Sequence, residues 1–124
     1  DRDRIAYYRV LEGDPIRGGI EFIVSDLGFT IEGMLGNQLP AYGQAWALTH
    51  FLFHERFDQL IKFYREIQNI DIEVTDAETL KAKAEKLVST FDECFGDRTT
   101  LELEWRRYMR SLRTDMERLA EEIR

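Results

Sequence analysis

The sequence has little that could hold a fold together apart from its core. It carries one cysteine, Cys94, which can form neither an internal disulfide nor a zinc cluster. It has only two prolines, so nothing repeatedly interrupts helices. Acids outnumber bases, 24 Asp and Glu against 17 Lys and Arg, and the net charge is −7. A nucleic-acid partner is therefore not expected, because phosphate binding depends on a concentrated positive patch, and anionic membrane surfaces are disfavoured for the same reason. No apolar run reaches the length of a membrane span. The glycines between positions 28 and 36 make no GxGxxG and are followed by no Lys-Ser/Thr pair, which leaves a plain loop as the simpler reading over a phosphate cradle.

What is present is core-forming material. Of 124 residues, 44% are hydrophobic and 12% aromatic, with two Trp, eight Phe and five Tyr. The length suits one domain over residues 1–124, and the mixture with 33% charged residues favours helices over a β-sandwich. The expected fold is all-α: a single compact bundle of five or six helices around a buried central helix at about residues 40–54. That stretch is apolar almost all the way round, and such a helix belongs inside with neighbours on several sides. Tyr42, Ala45, Trp46, Thr49 and Leu52 fall on one of its faces at helical spacing, and Leu48, Phe51 and Phe53 cover much of the rest.

The flanking elements are read by the same periodicity. Residues 2–12 suggest a short helix through Ile5, Tyr8 and Leu11, although Ala6, Tyr8 and Val10 also allow a strand. Asp14-Pro15 reads as an N-cap and first helical position, followed by Ile16, Ile20, Ile23 and Leu27 up to Gly28. After a loop over residues 29–39 and the central helix, a break near His54-Glu55-Arg56 precedes the stripe Phe57, Leu60, Ile61, Tyr64 and Ile67. Residues 69–74 read as a loop. Thr75 and Glu78 form one expected capping box, and Thr99 and Glu102 a second. Between them run Leu80, Ala84, Leu87, Phe91 and Phe95, closed by Gly96. The last helix carries Trp105, Tyr108, Leu112, Met116, Leu119 and Ile123, with Arg106 and its charged neighbours read as a solvated outer face.

Few residues offer chemistry. His50 and His54 are four positions apart, the spacing zinc proteases use, but Phe51 stands where HExxH needs its Glu and no third ligand is evident. A core or boundary pair is the simpler reading, and no metal is assigned to this chain. The carboxylates Glu102, Glu104, Asp92, Glu93 and Asp97 read as caps and solvated faces. Cys94 reads as a core thiol beside Phe91, with no basic neighbour to activate it.

The string Pro40-Ala41-Tyr42-Gly43-Gln44-Ala45-Trp46-Ala47-Leu48-Thr49-His50-Phe51-Leu52 resembles the helix that follows the zinc motifs in gluzincin metallopeptidases, most closely the peptidase-MA-like proteins of DUF1570 type. Phe91 to Gly96 and Leu101, Trp105 and Tyr108 are similar to the F-x-x-x-F-G and L-x-x-x-W-x-x-Y ending of those proteins, and residues 4–29 to their connector. Residues 69–86 match least. The resemblance implies a C-terminal helical lobe, inactive by itself, that packs on an upstream HExxH subdomain of the same polypeptide and walls part of the substrate cleft. It places zinc only in that upstream part, consistent with a chain that begins Asp-Arg without an initiator Met and reads as an excised piece. It also suggests Tyr42 as an oxyanion donor, by analogy with the Tyr of a Pro-Tyr-x-x-Gly segment in related aminopeptidases. Here, however, a residue intervenes between Pro40 and Tyr42, and the Gly comes early. A phenol suits that role, since it donates without carrying charge; the competing reading is that Tyr42 packs at a helix start. An open lobe of this kind would also be able to pair as a homodimer. The alternative function is a stand-alone helical protein–protein interaction module.

Overall fold

Helix α1 (Arg2–Glu12) lies across helix α3 (Gln38–Glu55), and the crossing is close because Gly43 sits at it. A Cβ on Gly43 would come within 2.6 Å of the Tyr8 backbone nitrogen and 2.7 Å of the Tyr7 carbonyl carbon. Backbone atoms cannot swing aside, so only glycine lets the two helices approach this far. Around that contact stand α2 (Ile20–Val24), α4 (Phe57–Ile67), α5 (Ala77–Phe95) and α6 (Arg98–Ile123). The computed structural model describes residues 2–14, 18–25 and 38–123, and no strand occurs among them. The chain is all-α, with six helices among the described residues. No helix there is long and apolar enough to cross a membrane.

One cluster forms the core. Tyr8, Ile20, Ala47, Leu48, Phe51 and Leu52 meet Leu60, Phe91, Leu101, Trp105 and Met109, so every helix contributes. The alternation that left α1 open to a strand reading is overruled by Ile5, Tyr8 and Leu11, which line up on its buried side. The chain breaks at Arg56 between α3 and α4 as its sequence suggests, and Arg56 turns its guanidinium onto Glu104 of α6. At the other end of the bundle Phe63, Phe91 and Phe95 stack edge to tilt, with centroids 4.4–6.0 Å apart. Gly96 closes α5 with φ +83°, a conformation that favours glycine, and its N–H donates to the Asp92 carbonyl.

Several elements differ from the sequence reading. The central helix is not buried all round. Its buried face is Gly43, Gln44, Ala47, Leu48, Phe51 and Leu52, whereas Tyr42, Thr49 and Phe53 are exposed. An apolar helix has no polar stripe to mark its outer side; the small residues Gly43 and Ala47 decide which side α1 can approach. The helix expected from Asp14 begins only at Ile20, after a turn through Gly18 and Gly19; Pro15, Ile16, Leu27 and Gly28, which the expected helix included, lie outside the described residues, as do residues 29–37 of the expected loop.

Both capping boxes are displaced. Asp76, not Thr75, caps α5: its carboxylate accepts from the Thr79 N–H at 2.8 Å, and the Asp76 N–H donates to the Thr79 hydroxyl at 3.0 Å. Before α6, Asp97 replaces Thr99, accepting from the Thr99 N–H and the Thr100 hydroxyl. In each case a nearby carboxylate, one position later at Asp76 and two positions earlier at Asp97, is the stronger acceptor for the first turn's unpaired N–H groups. The apolar seam of α6 also leaves the core, with Leu119 and Ile123 exposed.

Candidate functional site

The open face of α3 is the strongest candidate surface. Tyr42, Thr49 and Phe53 fall within a narrow angular range at 3.6 residues per turn, with half-buried Trp46 beside them. Tyr42 is 58% exposed and Phe53 53%, and the Phe53 ring meets Phe57 of α4 edge-on at 5.2 Å. The sequence assembled most of this row correctly as one face but assigned it to the interior. Tyr42 lies in the second turn of α3, exposed.

His50 and His54 sit on the flank of this face in successive turns, with ring centroids 4.5 Å apart. His50 is half-buried. Its Nδ1 lies 2.8 Å from the Tyr108 hydroxyl of α6, and its ring is 5.3 Å from Trp46. Burial, and then the neighbouring charge of His54, holds the His50 imidazole below its ordinary value of 6.5. Tyr108 is pushed above 10.0, first by burial and then by the charge of Glu55. The sequence did not pair Tyr108 with His50, which is 58 positions away. The only signal was that both residues belong to the recurring strings of the two helices.

Beneath the face, a polar junction fixes α3 relative to α1, α2 and α6. Gln44 is buried and donates its Nε2–H to the Tyr8 carbonyl, tying α3 to α1 at the glycine crossing. Arg106, expected on a solvated surface, turns inward instead. Its guanidinium lies 4.1 Å from the Trp105 ring centroid, donates to the Tyr8 hydroxyl at 2.8 Å and also donates to the Gly18 carbonyl. The Glu102 carboxylate accepts from the Ile20 N–H at 3.2 Å, so it serves the first turn of α2, and it lies 3.8 Å from Arg106 in its own helix. Burial raises the Tyr8 phenol above 10.0 despite Arg106 beside it. Neither Gln44 nor Arg106 stood out in the sequence, because their partners are 36 and 98 positions away.

The remaining candidates are scattered. Cys94 is half-buried, and burial raises its thiol, the direction of an unreactive side chain. Asp92 pairs with Arg98 at 2.8 Å, and Arg98 also reaches Glu21 at 3.2 Å. Among the described residues no three His, Cys, Asp or Glu side chains gather as they would around a metal. The site's chemical inventory is thus a phenol held outward, two adjacent imidazoles and an aromatic row.

A family model described as "Protein of unknown function (DUF1570)" matches residues 1–72, which include α1, α2, the whole of α3 and α4. No curated protein and no solved structure matches the chain.

Proposed function

The chain belongs to the DUF1570 family, and from that premise we propose that it is the C-terminal helical lobe of a peptidase-MA-like zinc metallopeptidase. In this reading it packs against an upstream HExxH subdomain of the same polypeptide and forms one wall of the substrate cleft. The observation that carries it is the outward Tyr42, 58% exposed on a face of α3 that continues through Thr49 and Phe53. A face this apolar gains by being covered, at about 25 cal/mol per Å² of apolar area removed from water.

The sequence contains no HExxH, so the reading assigns the zinc ligands and general base to other sequence. Zinc, when bound there, polarises the scissile carbonyl and activates water. This chain's contribution is the Tyr42 hydroxyl, which donates to the oxygen that gains charge as the carbonyl becomes tetrahedral. A neutral donor aimed at that oxygen helps the transition state more than the ground state, because the charge develops only there. The buried junction of Gly43, Gln44 and Tyr8 immediately beside Tyr42 holds its helix turn in place.

The test is made in the intact natural polypeptide. Zinc should be present at one equivalent, and Tyr42→Phe should lower kcat for peptide hydrolysis by about 10²-fold with little change in KM. If the upstream sequence carries no HExxH with a later Glu-bearing helix, the peptidase reading falls. The second reading, a helical interaction module, then takes its place. It is favoured by the exposed Phe53–Phe57 pair, which lies three turns away from Tyr42 and has no part in the chemistry.

A further inference from the structure

His50 and His54 differ in a way that matters for a cation. His50 is held by two neighbours: the Trp46 ring at 5.3 Å, and Tyr108, whose ring lies at 5.7 Å and whose hydroxyl is 2.8 Å from the His50 Nδ1. His54 is exposed one turn further on, its ring centroid 4.5 Å from that of His50. With Nδ1 occupied by Tyr108, the nitrogen left for another ligand on His50 is Nε2. His54 offers a second imidazole nitrogen from the same side of the helix.

Two protons on rings this close would repel, whereas one cation can serve both nitrogens at about 2.0–2.1 Å from each. Tyr108 stands where the outer partner of a metal-bound histidine stands: with a metal on Nε2, the proton would sit on Nδ1 and donate to the phenol oxygen 2.8 Å away, which would fix the tautomer and the plane of the ring. We propose that His50 and His54 form a two-histidine site for a divalent transition-metal ion of the imidazole-preferring class, such as Ni2+, Cu2+ or Zn2+, with Tyr108 as a positioning residue. Water completes the coordination, since no third protein ligand gathers there among the described residues. The site is separate from any zinc held by an upstream HExxH and does not depend on the peptidase reading.

The test is a calorimetric titration of the 124-residue chain with Ni2+ at neutral pH, using Mg2+ as the control. One Ni2+ should bind per chain and Mg2+ none, and the imidazole resonances of both histidines should shift. Binding should disappear in His50→Ala and in His54→Ala. The His54 side chain is exposed, so its removal leaves the fold intact, as circular dichroism would check. Tyr108→Phe should weaken Ni2+ about 10-fold to 100-fold while leaving the one-to-one stoichiometry. Absence of saturable Ni2+ binding, or binding that survives His54→Ala unchanged, overturns the site. Equal affinity in Tyr108→Phe overturns the positioning role.

Discussion

The two ends of the bundle are built by different means. Where α1, α3 and α6 meet, position is set by close and polar contacts between particular groups: a glycine crossing, the Gln44 amide on the Tyr8 carbonyl, and Arg106 held by Tyr8, Trp105 and Gly18. Where α4 and α5 meet, Phe63, Phe91 and Phe95 pack with no polar partner in the contact. Polar contacts are directional and costly to leave unmade, whereas the apolar burial that drives ring packing is non-directional and volume-conserving changes in it are tolerated. The open face of α3 lies over the directional end, where a misplaced helix would move Tyr42. The packed end supplies burial. The contacts that fix position in this molecule therefore include Gly43 and Gln44, immediately beside Tyr42 of the candidate site.

Truncation alone should not separate the two ends. Trp105→Ala and Phe91→Ala both empty fully buried volume, and each should lower the unfolding free energy by about 3–5 kcal/mol in urea titrations. Unequal losses, with Phe91→Ala nearly silent, would show that the aromatic end is not part of the same cooperative core.

Finer changes should separate them. Gly43→Ala drives a methyl into the Tyr7–Tyr8 backbone and should cost about 1–3 kcal/mol, while Phe91→Leu, a smaller change of shape in an apolar setting, should cost less than about 1.5 kcal/mol. If Gly43→Ala proves neutral, the close crossing is not what fixes α3. Tyr8→Phe removes only a hydroxyl that accepts from Arg106, and it should cost about 1 kcal/mol while leaving near-ultraviolet dichroism largely unchanged.

The smallest effects are those of pH. The His50 imidazole is lowered in the folded chain, so the unfolded state binds the proton more readily. Stability should therefore decline as pH falls from 6.5 toward the lowered folded value, and His50→Ala should remove that slope. Asp76 and Asp97 are lowered by their hydrogen bonds to Thr79 and Thr100. Their contributions are present above 3.8 and are lost as pH falls through the folded values, so Asp76→Asn should blunt the acid limb of a thermal-melt profile. An acid limb identical in the variant would mean the α5 cap has no weight.

The all-α class, the positions of α3 to α6 and the stop at Gly96 could be read from spacing, since periodicity and a glycine after an apolar run are local signals. The caps were misplaced by one or two positions because Thr75, Asp76, Asp97 and Thr99 are all acceptable acceptors, and only the real start of each helix chooses among them. Tyr42 was named from its string, and its exposure was not legible there.

The sequence by itself therefore determined the all-α class, most of the helices, the residues available to the core and the placing of Tyr42, Trp46 and Thr49 on one face, because each depends on a chemical pattern within a few turns. Which side of α3 faces outward, the inward turn of Arg106 and the meeting of Tyr108 with His50 were decided only by tertiary structure. An apolar helix has no inner side until a neighbour comes close enough to need a glycine, and here that neighbour is α1 at Gly43.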